Sequence, residues 1–303
     1  MEIRKAQRRR SKLRLGLTAS SGAGKTYSAL LIAYGIANGG KIGVIDTEAG
    51  SAELYDDIIP GGYDVIPLSA PYTPARYVEA IHTFEKAGYA VIITDSLTHA
   101  WAGEGGSLDK QGKLADKGTN SFTAWRSVTP DHNKLVEAIL QSSCHMICTL
   151  RAKTEYVLEE NGKGKQVPKK VGMAPIMRDG FEYEMTVCFE LDQNHVASST
   201  KDRTQLFDGL YFTPTIATGA KLLAWLDGGA EPDPVPEPEP CLTKANVDAI
   251  CAVADATVIG RINTAYDTRV LADIPARFFP AISKRLGLPA LNGHDDGGMG
   301  EKA

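Results

Sequence analysis

The chain has 303 residues, of which 43% are hydrophobic and 23% charged, with a formal net charge of -4. These are the proportions of an ordinary folded domain, which excludes wholesale disorder or a fibrous repeat, and the length suits one large α/β unit plus a small appendage, because single cores stop growing near ~250 residues. No apolar run approaches the ~20 residues of a membrane span, and the basic start has no apolar stretch behind it of signal-peptide kind, so the expected location is the cytoplasm, away from any membrane.

In chain order, residues 1–12 form a basic segment, and Arg4, Lys5, Arg8, Arg9, Arg10, Lys12 and Arg14 crowd this end. That charge reads as a DNA-binding arm, a tether between protomers or a disordered lead. The short apolar run Leu13 to Thr18, the glycines behind it and the helical spacing of Tyr27 to Ile36 predict strand, turn and helix. Lys41 to Ile45 and Ala90 to Thr94 read as buried parallel strands with a helix over Pro74 to Lys86 between them. A helix from Pro130 to Gln141 leads into the apolar run His145 to Leu150, and the alternation predicts a mainly parallel sheet with helices on both faces. Further on, Lys163 to Lys170 is basic and loop-like, Tyr183 to Leu191 and His195 to Thr200 read as an antiparallel pair, and Lys221 to Leu226 as a short closing helix. The core is thus expected over 13–227, followed by an acidic, proline-rich linker at 228–240, a small helical module at 241–291 and a flexible tail at 292–303. The five cysteines, Cys144, Cys148, Cys188, Cys241 and Cys251, have no metal-ligand spacing and read as buried thiols. His132, His145 and His195 read as ordinary surface or strand residues rather than ligands.

Chemistry concentrates where the first strand meets the first helix. Ala19-Ser20-Ser21-Gly22-Ala23-Gly24-Lys25-Thr26 is a phosphate-loop pattern in its proper strand–turn–helix context, with Ala19 in the place of the usual first glycine. Ser21, Gly22, Ala23, Gly24, Lys25, Thr26 and Tyr27 are the expected ATP contacts: backbone N–H groups and a helix amino end encircle the phosphates, Lys25 reaches the β- and γ-phosphates, and Thr26 ligates Mg²⁺. Val91-Ile92-Ile93-Thr94-Asp95-Ser96 ends a buried strand on an acid, and Asp95 is the expected metal-side carboxylate, although an Asp after a strand is also a common helix cap. Ile45-Asp46-Thr47-Glu48 sets two carboxylates at the carboxyl end of a neighbouring strand, where ligands of open α/β sheets collect; Glu48 is the candidate base that orients water, with Asp46 as the alternative.

Glu48 after the second strand, Asp95-Ser96 after the third and Thr149-Leu150-Arg151 after the fourth resemble the RecA-type ATPase core. The resemblance implies that Glu48 activates water and that Thr149 or Arg151 couples the γ-phosphate to DNA loops. Ser199-Thr200-Lys201-Asp202-Arg203 is similar to the Lys-x-Arg finger of the DnaB and KaiC branch, which implies that Lys201 and Arg203 complete a neighbouring subunit's site in a ring or filament. From Leu15 through Arg203 the chain resembles the short RecA-like ATPases of bacteriophages grouped with the Sak-type single-strand annealing recombinases, on Val44-Ile45-Asp46-Thr47-Glu48, Arg151-Ala152-Lys153-Thr154-Glu155-Tyr156, Val167-Pro168-Lys169-Lys170 and Arg178-Asp179-Gly180. That group implies ATP-linked binding of single-stranded DNA and strand annealing, helped by a single-stranded DNA-binding protein.

Independently of the resemblance, Lys153, Lys163, Lys165, Lys169, Lys170 and Arg178 fall in one expected loop region with Tyr156 nearby, a mixture that suits single strands by counterion release and stacking, and equally a solvated hairpin. Two other outputs fit the same core: a helicase or packaging motor, and a nucleotide-gated loader or binding module that hydrolyses little.

Overall fold

Every residue of the first strand, β1 (Arg14–Ala19), is buried, as a strand with neighbours on both sides must be. The computed structural model describes residues 5–160, 166–229, 241–266, 268 and 270–288, and the chain divides into two compact units, Met1–Pro232 and Asp233–Ala303. In the first unit β1 leads to α1 (Lys25–Ala37), β2 (Ile42–Asp46), a 3-10 turn at Ser51–Tyr55, β3 (Asp64–Pro67), α2 (Pro74–Lys86), β4 (Val91–Asp95), α3 (Thr98–Ala102) and α4 (Ser107–Asp116). There follow α5 (Ser121–Gln141), β5 (His145–Glu160), β6 (Gln166–Pro175), α6 (Phe181–Glu184), β7 (Val187–Leu191), β8 (Ala197–Asp202), β9 (Tyr211–Phe212) and α7 (Ile216–Asp227).

The strands make one nine-stranded sheet in the order β3-β2-β4-β5-β1-β7-β8-β9, with β6 attached to β5. Pairing is parallel from β3 through β7 and antiparallel at β7–β8, β8–β9 and β5–β6. Alternate residues of the central strands feed two separate cores. Leu15, Leu17, Val44, Ile93, Ile147 and Phe189 pack with α1 and α7, whereas Ile45, Ile92, Met146, Cys148 and Cys188 pack with α2 and α5. This period-two division is what places helices on both faces. On the first face α1 and α7 cross at two glycines: a Cβ on Gly219 would lie 2.1 Å from the Ile32 carbonyl oxygen, and one on Gly35 2.1 Å from that of Ile216.

Several expectations shift at this level. Helix α5 begins at Ser121 and not at Pro130, with the Asn120 side chain accepting from the Phe122 N–H at 2.9 Å. Pro130 sits inside, forgoing one intrahelical bond, while Ala124, Val128, His132, Leu135 and Ile139 keep one continuous buried face. The basic region expected as a loop is the two arms of a hairpin: Lys153 lies on β5, and Lys169 and Lys170 stand on β6 opposite Val157 and Tyr156. Lys163 and Lys165 lie outside the described residues, as do residues 230–240 and 289–303.

The basic start is also partly structural. Arg14 is buried and donates to the carbonyls of Leu140, Ser142 and Cys144, tying β1 to the turn between α5 and β5. Arg8 stacks 4.0 Å from the Trp225 ring and donates to its carbonyl, and Arg10 donates to the Asp227 carbonyl at 3.3 Å, where cations meet the negative end of α7. Of the cysteines, Cys144, Cys148 and Cys188 are buried and Cys241 and Cys251 are exposed, contrary to a uniform buried reading.

The second unit holds α8 (Lys244–Val253), α9 (Ala256–Ala265) and α10 (Phe279–Leu286) around Leu242, Ile250, Leu271, Ile274 and Ile282. Thr243 and Asp255 cap the first two helices, accepting from Asn246 N–H at 3.2 Å and Val258 N–H at 2.9 Å. Among the described residues no helix is long and apolar enough to cross a membrane.

Candidate functional site

A cleft of about 650 Å³ opens at the carboxyl ends of the parallel strands. Its floor is the loop between β1 and α1, whose Gly22 and Gly24 both have φ of 81°. That left-handed geometry favours glycine, and at Gly24 the space is also taken, since a Cβ would lie 2.8 Å from His195 Nδ1. Gly24 caps α1 without a side-chain hydrogen bond, so the first N–H groups of the helix are left to a ligand, and a helix amino end favours anions.

Lys25 lines the cleft and folds back on its own loop, donating to the carbonyls of Ala19 at 3.2 Å and Ser20 at 2.9 Å. Burial lowers its pKa, against the pull of Asp95 and Glu48. A polyphosphate would offer this ammonium stronger acceptors than two carbonyls. Asp95 is 1% exposed and accepts from Thr26 Oγ1 and Thr149 Oγ1, both at 2.6 Å. Burial raises its pKa, with the two hydroxyls opposing. The adjoining hydroxyl of Thr26 and carboxylate of Asp95 form a hard oxygen pair that fits Mg²⁺, and the cation's charge would favour the ionised carboxylate.

Glu48 reaches the cleft because the buried carboxylate of Asp46 accepts from the N–H groups of Glu48 at 2.6 Å and Gly50 at 2.8 Å, shaping the turn after β2. Asp46, the alternative base, is therefore the brace of that turn. The Glu48 carboxylate is held by Arg151: Nε donates to Oε1 at 2.9 Å and a terminal guanidinium nitrogen to Oε2. Burial alone would raise the carboxyl of Glu48, but the hydrogen bond and charge of Arg151, with smaller help from Ser96 and His99, together outweigh it and hold the pKa below the ordinary carboxylate value. Strand order explains how these groups meet. β5 lies between β1 and β4, so Thr149 stands beside Asp95 and Arg151 pairs in register with Ala19 at the start of the phosphate loop.

Ser21, Gly22, Gly24, Lys25, Thr26, Tyr27, Glu48 and Asp95 thus line one cleft, as the sequence places them, with Ala23 buried beneath. Lys201 and Arg203 do not line it. They donate to backbone carbonyls at the end of α6, Lys201 to Glu182 at 3.0 Å and to Tyr183, and Arg203 to Tyr183 at 2.9 Å. Lys153 is exposed and Arg178 half-buried in a separate groove.

Sequence reasoning missed the far wall, formed by Ser51, Tyr55, His195, Thr213 and Pro214. Tyr55 meets Tyr27 edge-on at 6.0 Å. His195 stands in a tight turn that Asp192 organises by accepting from the N–H groups of Asn194 at 2.8 Å and Val196 at 2.9 Å; Gln193 in the same turn donates to Ser20 Oγ. The signal was the turn-forming Asp-Gln-Asn-His run between two strands, which shows a turn but not that it docks on the phosphate loop. His132 and His145, expected at the surface or on a strand, are buried, and His145 begins β5.

No curated protein matches the chain. The family model described as AAA domain matches residues 11–221, well over half of the sequence and nearly all of the first unit. With its phosphate loop, acid-tipped strand and mostly parallel sheet, the chain belongs to the AAA domain family, as a nucleotide-binding ATPase-type P-loop protein.

Proposed function

We propose that the protein is an ATP-dependent, single-stranded-DNA-binding recombination protein that promotes strand annealing and hydrolyses ATP at sites between subunits, as its resemblance to the Sak-type phage recombinases implies. The observation that carries the DNA reading is the path of β5. Arg151 lines the nucleotide cleft and grips Glu48, Lys153 stands two residues further on, and the strand continues into the hairpin that bears Lys169 and Lys170. A change at the γ-phosphate that moves Arg151 is thereby passed along one continuous strand to the cations that meet DNA.

In this reading the loop N–H groups and Lys25 hold the phosphates, and Thr26 and Asp95 would hold Mg²⁺, which when bound would neutralise developing charge on the phosphates. Glu48 orients the attacking water once Arg151 releases its carboxylate. Lys201 and Arg203 leave the Glu182 and Tyr183 carbonyls and reach the γ-phosphate of the adjoining subunit. A bacterial cytoplasm and a single-stranded DNA-binding protein as helper belong to the same proposal.

Steady-state ATP hydrolysis with and without single-stranded DNA, across a salt series and beside Lys25→Ala, tests it. DNA stimulation that is absent in the variant and fades as salt rises supports a DNA-coupled ATPase. Hydrolysis indifferent to DNA favours the second reading, a nucleotide-gated binding module, for which the capture of both Glu48 carboxylate oxygens by Arg151 is the supporting observation.

A further inference from the structure

A second groove, of about 410 Å³, lies beside the base of the β5–β6 hairpin and is lined by Trp101, Trp125, Lys153, Met177, Arg178 and Asp179. Its wall is built around two indoles. Trp101 and Trp125 stack with ring centroids 5.6 Å apart and planes 20° from parallel, and both are only half-buried although tryptophan gains most from full burial. Behind Trp101 the buried ring of His132 packs edge-on at 5.3 Å, which fixes the indole in place. Met177 is almost wholly buried, Lys153 is exposed, and Arg178 is anchored loosely to Asn133 Oδ1 at 3.5 Å. Two cations against the single carboxylate of Asp179 leave the rim net positive.

Fixed aromatic faces in a groove with two cations match the chemistry of unpaired bases on a phosphate backbone, and unpaired bases stack on such faces whatever their sequence. Two elements tie the groove to the nucleotide cleft. Trp101 is in α3, which follows directly on Asp95 of β4, and the Thr98 hydroxyl in the same helix accepts from the Arg151 N–H at 2.9 Å. Lys153 stands on β5 two residues beyond Arg151, and the Ile176 N–H, next to Met177, donates to the Arg151 carbonyl at 2.7 Å. We infer that this groove is a base-stacking subsite for single-stranded nucleic acid, in which Trp125, braced by Trp101, receives a base and Lys153 and Arg178 the flanking phosphates. The inference rests on the reading of the protein as a single-strand-binding ATPase and adds the residues that would meet a base and its phosphates.

The test uses the full chain and two fluorescein-labelled probes of equal length and charge, an oligodeoxythymidylate and an oligomer made only of abasic sites, titrated by anisotropy at fixed moderate salt. Wild type is expected to bind the base-bearing probe about tenfold or more tightly than the abasic one, the scale of stacking one base. Trp125→Ala is expected to erase that difference while Trp125→Tyr retains most of it, and thermal melting reports whether either variant is folded. Lys153→Gln, at an exposed position, is expected to weaken both probes alike. Equal binding of both probes by wild type, or an undiminished preference in folded Trp125→Ala, overturns the groove and leaves the single-strand reading intact. Failure of wild type to bind either probe, with or without ATP, overturns that reading and the groove with it.

Discussion

At Arg151 one guanidinium sets the chemistry of the candidate base. Its hydrogen bond and charge keep the Glu48 carboxyl ionised to a lower pH than burial alone would allow. Replacing it by Arg151→Gln removes the largest opposing influence, so the acid limb of the kcat/KM profile, which reports the free enzyme in which the pair is made, should move to higher pH; an unmoved limb would mean that Glu48 is not the titrating base. His145 offers a second residue-scale outcome, for stability. Its Nδ1 accepts from the Leu13 N–H at 3.0 Å, and burial, with Lys12 and Arg14 nearby, lowers its pKa to about 3 from 6.5. The unfolded chain therefore binds the proton first, and this contribution is whole above the unfolded value and is lost as pH falls from 6.5 towards 3. Stability should drop by about 2 kcal/mol more between pH 7 and pH 5 in wild type than in His145→Asn, read from urea melts at each pH. The two positions differ in how far they could be read in advance. Glu48 was legible from its place after a buried strand, and its engagement with Arg151 was not, because the partners stand 103 positions apart and meet only through strand order. Asp46 and Glu48 were indistinguishable as carboxylates in the sequence, and only the turn hydrogen bonds show that Asp46 is spent on bracing the turn.

At the scale of elements, what could be read were the pieces with strong local pattern: the phosphate loop, the apolar parallel strands and the buried stripe of α2. Harder were elements whose stability is tertiary. α5 extends nine residues before its proline because its buried stripe starts at Ala124, and β3, partly exposed throughout, is held by pairing with β2. The α1–α7 crossing belongs to the same class, since nothing local in Gly35 or Gly219 says that the two backbones touch. There the cost of error is high. Gly219→Ala puts a methyl 2.1 Å from the Ile32 carbonyl oxygen, and backbone cannot yield as a side-chain end does. The helices must separate, at about 3 kcal/mol or a fall of roughly 10 °C in melting temperature for a unit of this size. Because α1 carries the phosphate loop at its amino end, ATP affinity should fall in parallel. An alanine tolerated without change in either measurement would show that the helices are not packed at these glycines.

At the scale of the whole molecule, the cleft lacks an external cation for the γ-phosphate among its described lining residues other than Lys25 and Arg151, and Arg151 is committed to Glu48. Lys201 and Arg203 are cations of the same unit that end on backbone carbonyls of α6, a weak commitment compared with a phosphate, and outside the cleft of their own chain. If they act in a neighbour, the catalytic unit is an interface, and two separately inactive chains must restore each other. Lys25→Ala disables the loop and leaves the finger; Arg203→Ala disables the finger and leaves the loop. In a mixed assembly, an interface that joins the loop of the second variant to the finger of the first is intact. Mixing the two should therefore return hydrolysis, rising to a maximum near equal proportions, while each variant alone stays inactive. Arg203→Ala should still bind ATP, because its own loop is untouched, and its melting temperature checks that the lost bond to Tyr183 has not unfolded α6. Mixed assemblies that form, as shown by co-purification of differently tagged chains, yet stay inactive at every ratio would assign Arg203 to its own chain and remove the reason for active sites between subunits.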